Sequence, residues 1–198
     1  MPQPVKHSAD AMLDAARDLV LDGGPSAASA RAVSLATGAP SGSVYHRFPR
    51  RDDLVAAAWL RAQDRFLAAY LGELEQPDAD AGVNAAVAVV TWSRDDPMDA
   101  ALLLRYALRD LLGGKVSAAL SERAEANRRR LETAVTRFAT AAGRPLAEVT
   151  LAVVDLPYAV ARRVLRERRP PAQEEISALR RAAALLLGPG PAASLCRS

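Results

Sequence analysis

An all-α fold is what this chain predicts, and three observations predict it. Alanine is the commonest of its 198 residues, with leucine and arginine next, so intrinsic propensity favours helix throughout. Alternating β-branched patterns of the strand type are scarce. Glycine and proline fall at intervals that cut the remainder into helix-sized pieces, at Gly23-Gly24-Pro25, Gly38, Pro40, Pro49, Pro77, Pro97, Gly113-Gly114, Gly143, Pro145 and Pro170-Pro171.

The elements follow in order. Residues 8–22 place Met12, Ala15, Ala16, Leu19 and Val20 on one face, while Asp10, Asp14, Asp18 and Asp22 recur every four residues as an acidic stripe expected to face solvent or a partner. Ser29 suits the cap of a short helix over 30–37 that Gly38 ends, and Pro40 suits the first turn of another carrying residues 41–47. Two short helices joined by a glycine-containing turn form a helix-turn-helix. Pro49 stops the second, and a long helix over 51–74 opens with Asp52 and Asp53 at its positive end. Leu19, Val33, Val44, Phe48 and Leu54 make a small core. Further helices are expected over 80–93, 98–112, 117–142, 145–168 (kinked by Pro157) and 171–187. The expected division is a helix-turn-helix domain over 1–54, a second helical domain over 55–188, and a disordered tail over 189–198.

Composition excludes several classes. Apolar residues at 50% and charged residues at 25% describe a globular chain, and no apolar run approaches the roughly 18 to 20 residues of a membrane span. No secretory signal follows the N-terminus, so the expected location is the cytoplasm and no membrane partner is expected. One cysteine, Cys196, permits no intramolecular disulfide, and with only His7 and His46 besides it a metal site is not expected. No catalytic residue or cofactor is assigned, because nothing stands beside His46 as nucleophile or orienting carboxylate.

The net charge of +3 is segregated. Between Asp22 and Asp52 there is no acid, while Arg31, Arg47, Arg50 and Arg51 contribute +4; the rest carries 22 basic against 23 acidic residues, net −1. That stretch has the sign and density of a phosphate-binding footprint.

Residues 38–54, G-A-P-S-G-S-V-Y-H-R-F-P-R-R-D-D-L, resemble the DNA-binding domain of the tetracycline-repressor (TetR) family of bacterial regulators. Gly38, Gly42, Ser43, Val44, Tyr45, Phe48 and Leu54 fit the family pattern in register; upstream, Gly24 and Ser29 match its glycine after the first helix and its threonine opening the second. Pro25, Ala30, Ser34 and Pro40 depart from it, and Arg51 stands in place of a lysine while keeping its charge. The resemblance implies DNA contacts from Ser29, Arg31, Ser41, Gly42, Ser43, Tyr45, His46, Arg47 and Arg51. Tyr45 and Arg51 would meet phosphate, Arg31 would reach guanine, and the start of the second short helix would meet base edges.

The remaining two thirds resembles the family only in the number and length of its helices. It implies an effector-binding and dimerisation domain, with Trp92, Met98, Arg105, Tyr106 and Phe138 as candidate lining. The apolar stripes of the last two helices, Val153, Val160 and Val164 with Ile176, Leu179, Ala183 and Leu186, are the candidate dimer interface. The function implied is a homodimeric regulator, a repressor, that binds a palindromic duplex operator and releases it on binding a small-molecule effector; it is not an enzyme. The alternative is an all-α small-molecule or lipid-binding protein, or an enzyme, whose helix-turn-helix is only architectural.

Overall fold

The computed structural model describes residues 8–188, all-α with no strand among them; the tail expected over 189–198 lies outside the described residues. The helices are α1 (Ala9–Gly23), α2 (Ala30–Thr37), α3 (Ser41–Arg47), α4 (Arg51–Leu74), α5 (Ala81–Asp95), α6 (Pro97–Arg105), α7 (Leu108–Leu111), α8 (Ala118–Ala141), α9 (Leu146–Thr150), α10 (Leu156–Arg166) and α11 (Gln173–Leu187). The side chain of Ser8 caps α1 and that of Ser29 caps α2, each accepting the N–H three residues on at 3.1 Å.

The chain forms two compact units, each drawn from separate stretches of sequence. The first comprises, among the described residues, 8–64 and 98–126. Its core gathers Met12, Ala16 and Val20 of α1, Val33 of α2, Val44 of α3 and Leu54, Val55 and Ala58 of α4, with Leu102 of α6 and Leu111 of α7 sealed into the same cluster. Val33, Val44 and Leu54 are wholly buried, and Leu19 and Phe48 pack half-buried against them, as their spacing predicts. Truncating one such leucine to alanine costs about 2–5 kcal/mol.

In this unit the acidic stripe of α1 is open to solvent, as expected, and is paired within the chain as well. Arg61 of α4 donates to both Asp10 and Asp14, and Arg17 bridges Asp14, Asp18 and the buried Asp99 of α6, the last at 2.7 Å. The single helix expected over 98–112 is broken at Tyr106 and Ala107, where the Trp59 indole N–H donates to the Tyr106 carbonyl at 2.9 Å and supplies the partner a continuous helix would have provided.

The second unit comprises, among the described residues, 65–97 and 127–188. Leu67, Tyr70 and Leu71 of α4 pack with Val83 and Ala86 of α5, Val135 and Ala139 of α8, Val149 of α9 and Val153 just after α9. Phe66 stacks on Tyr70 at 5.6 Å and meets Trp92 edge-on at 5.3 Å. A Cβ at Gly82 would stand 2.6 Å from both the Phe138 ring and a Leu187 methyl, so α5 comes closest to α8 and α11 at a residue that has none.

The kink expected at Pro157 takes a specific form. Between α9 and α10 the chain makes one π turn, Leu151–Asp155. Proline has no N–H for the carbonyl four residues before it, which is that of Val153. The buried Tyr70 hydroxyl supplies the missing donor at 3.1 Å. Burial also pushes that hydroxyl well above the ordinary phenol range, so it stays protonated and remains a donor.

Candidate nucleic-acid interface

Side chains local to the segment hold the turn between α2 and α3. Gly38 closes α2 at φ 68°, a left-handed conformation that favours glycine. Ser34 Oγ donates to the Ala39 carbonyl at 2.6 Å, Thr37 Oγ1 donates to the Val33 carbonyl at 2.7 Å, and the Ala39 N–H returns to Thr37 Oγ1 at 3.3 Å. Ser34, which departs from the family pattern, thereby fastens the turn rather than weakening it. Ala39 and Val44 are buried and fix the inward face of α3.

Helical periodicity then turns the other face outward. Ser41, Gly42, Tyr45 and His46 are exposed together, Tyr45 to 55%, and Arg31 on α2 and Arg47 at the end of α3 are exposed as well. A Cβ at Gly42 would have nothing within 4 Å, so no neighbour in the chain requires a glycine there. What it leaves is room for an external surface to approach the backbone. Ser43 is half-buried, and Ser29 has its hydroxyl engaged as the α2 cap. Arg47 extends to the Met12 sulfur at 3.7 Å.

Arg51 is placed differently from its expected role. Its guanidinium stands 2.7 Å from Asp52 and donates to the Leu111 carbonyl at 2.9 Å. Arg50 pairs with Asp53 at 2.9 Å. Burial would raise the Asp53 carboxyl, but hydrogen bonds from Arg50 and from the Ser117 N–H outweigh that and hold it below the usual carboxylate range. The ties of α4 to residues 111–117 have no signal in the sequence, where the two segments stand some sixty positions apart.

The five candidate effector residues are divided between the units. Trp92, buried against Phe66, and Phe138, half-buried against Gly82, belong to the second; Met98 and Arg105, both exposed, and Tyr106 belong to the first. In the second unit a cleft of about 210 Å³ includes Phe138 with Glu75, Gln76 and Arg137.

The candidate dimer residues lie mostly within the chain's own core. Val153, Val164, Ile176, Leu179 and Ala183 are buried, Ile176 and Leu179 against Val87 and Val90 of α5; Val160 and Leu186 are half-buried. What α10 and α11 leave open is a groove of about 370 Å³ whose apolar lining includes Leu156, Val160, Ala178 and Ala182, while Leu185 on α11 is 82% exposed.

Among the described residues no cluster of His, Cys, Asp or Glu is arranged to hold a metal, and no helix is long and apolar enough to cross a membrane.

Residues 12–58 match the model of bacterial regulatory proteins of the tetR family. No curated protein matches the chain. Among solved structures, a transcriptional regulator from Rhodococcus sp. Rha1 is 22% identical, with a TM-score of 0.68 over 92% of this chain and 95% of that one. A tetR-family transcription regulator from Shewanella sp. PV-4 is 17% identical, TM-score 0.68, over 93% and 96%. The transcriptional regulator FadR from Bacillus subtilis, solved in complex with stearoyl-CoA, is 10% identical, TM-score 0.68, over 91% and 98%. At these identities the likeness is one of fold.

Proposed function

We propose that this chain, whose residues 12–58 match the model of bacterial regulatory proteins of the tetR family, is a DNA-binding transcription regulator that works as a homodimeric repressor of a palindromic operator. The observation that carries this reading is the face of α3. Ser41, Gly42, Tyr45 and His46 stand exposed together, flanked in sequence by Arg31 and Arg47, in a stretch without a single acid between Asp22 and Asp52. Serine hydroxyls and an open glycine at the start of a recognition helix suit base edges, and a phenol one turn on suits phosphate. Ser29, Ser43 and Arg51 complete the proposed contact set, Ser29 through its backbone and Arg51 only if it leaves Leu111.

Dimerisation is proposed through the open groove of α10 and α11. The partner is a second copy of the same two helices, and Leu156, Val160, Ala178, Ala182 and Leu185 are the side chains free to meet it. The buried stripe of Val153, Val164, Ile176, Leu179 and Ala183 supports that face from behind. Leu186 stands with it, half-buried.

The effector is proposed to be a small molecule bound by the helical second domain. It releases DNA only by binding the DNA-incompetent state better, and so must bind the operator complex more weakly by the same factor. α4, about 36 Å long, carries residues of both units and is the proposed route between them. The expected setting is the cytoplasm, with no enzymatic step.

An electrophoretic shift at graded salt tests the reading. The dimer is expected to retard a duplex drawn from its own upstream region, with an affinity that falls steeply as salt rises. A chain that retards no duplex at low salt refutes it.

A further inference from the structure

The first turn of α4 offers no net charge to an outside anion. Arg50 is matched by Asp53 and Arg51 by Asp52, and Arg51 is turned to the Leu111 carbonyl as well. The residue expected to meet phosphate here is therefore engaged within the chain.

What it holds is a loop, and two more bonds hold the same loop. Asp52 Oδ2 accepts the Gly113 N–H at 3.1 Å, and Asp53 Oδ1 accepts the Ser117 N–H at 2.8 Å. The backbone lies directly on the helix start, since a Cβ at Gly114 would stand 3.6 Å from Asp52 Oδ2. α4 itself begins three residues after α3 ends, through Phe48, Pro49 and Arg50. The loop is thus fixed at the end of the recognition helix, although it is some seventy residues away in sequence.

Lys115 is the middle residue of the stretch between those two anchors. It is exposed, with no hydrogen bond or ion pair to any described residue, on a four-carbon stem that reaches beyond the backbone. We propose that Lys115 is a DNA-backbone contact, binding a phosphate at the flank of each half-site in place of the contact that Arg51 has turned inward. Asp52 and Asp53 are then positioning residues: their carboxylates would repel phosphate if free, but here they anchor the loop that carries the cation. A phosphate at this point is recognised by charge alone, so Lys115 adds affinity and no sequence preference. This rests on the DNA-binding reading above.

The chain has only two lysines, Lys6 and Lys115, which makes the test direct. A fluorescein-labelled duplex is first selected from a random pool by the parent protein. Lysine acetylation of the full chain is then followed by peptide mass with and without that duplex. Lys115 is expected to be labelled in the free protein and protected in the complex, and equal labelling in both overturns the proposal. Lys115→Gln is expected to bind about fivefold more weakly per chain at 0.15 M salt, and to lower the slope of log affinity against log salt by about 0.9 per chain, as one lost phosphate contact requires. Lys115→Arg is expected to restore both. An unchanged slope in Lys115→Gln, whatever its affinity, overturns the contact. A parent protein that selects no duplex overturns the DNA-binding reading itself, and the proposal with it.

Discussion

Tyr70→Phe removes one oxygen atom, and the structure sets what that deletion costs. The hydroxyl is buried and donates to the Val153 carbonyl at 3.1 Å, a carbonyl whose α-helical donor would be the N–H of position 157, which is proline. A ring of the same shape stays in place, so packing against Phe66 is kept and the loss is that of one bond with its acceptor left buried. That costs about 1–3 kcal/mol. For a chain of this size each kcal/mol lowers the melting temperature by about 2–4 °C, so a fall of roughly 2–12 °C is expected. Thermal unfolding followed by circular dichroism measures the fall, urea unfolding measures the free energy, and a second background makes the result decisive. Pro157→Ala restores an N–H to the helix, which can then serve Val153 itself. In that background Tyr70→Phe should cost about 0.5 kcal/mol or less, since the carbonyl no longer depends on the hydroxyl. Equal costs in the two backgrounds refute the reasoning, because the tyrosine would then stabilise the fold for some reason other than the proline.

The other expectations concern binding, assembly and acid. Arg31→Ala should weaken specific binding by about 1–3 kcal/mol and relax preference at one base pair per half-site, whereas Tyr45→Phe should cost about 1 kcal/mol on every duplex alike; competition shifts with base-substituted operators distinguish the two. Val160→Glu places a carboxylate in the open groove of α10 and α11 and should give monomers in sedimentation at concentrations where the parent is dimeric; a variant that stays dimeric locates the interface elsewhere. Hydrogen bonds from Arg169, and then from the Ala172 N–H, push the Glu175 carboxyl from its usual 4.5 down to about 2. A carboxyl lowered on folding favours the native state above pH 4.5 and loses that contribution as pH falls toward 2, so the melting temperature should drop across this window and drop less in Glu175→Gln.

Much of the first unit was legible because its signals are local. Ser29 caps α2 and Gly38 ends it in the left-handed conformation, as single residues with single roles. The same is true of the buried set Val33, Val44 and Leu54, whose spacing alone assigns it a face. The break of the helix at Tyr106 has no glycine or proline to announce it, and depends on an indole 47 residues away. Pro157 announced a disturbance but not its form, because the π turn needs Tyr70 to complete it. Periodicity gave Val153, Ile176 and Leu179 an apolar stripe, and that stripe was expected at a dimer interface; the structure buries it within the chain, Ile176 and Leu179 against α5, because a helix face packed on α5 and one packed on a second copy read alike in sequence. Arg51 shows the same limit for a charge, since its sign was legible and its destination was a carbonyl sixty residues on.

The first compact unit is assembled from two separate stretches of the chain, residues 8–64 and 98–126 among those described, and this decides what can be transplanted. An exchange of the C-terminal helices between chains of this fold would naturally be cut just after α3 or partway along α4. Such a graft carries Leu54, Val55 and Ala58 without Leu102 and Leu111 that close over them, and Arg17 without Asp99. The foreign helices would have to supply a matching cover, or the hybrid would expose the core of its own helix-turn-helix unit. The smallest portable piece is therefore discontinuous: the N-terminal helices must travel together with α6, α7 and the start of α8.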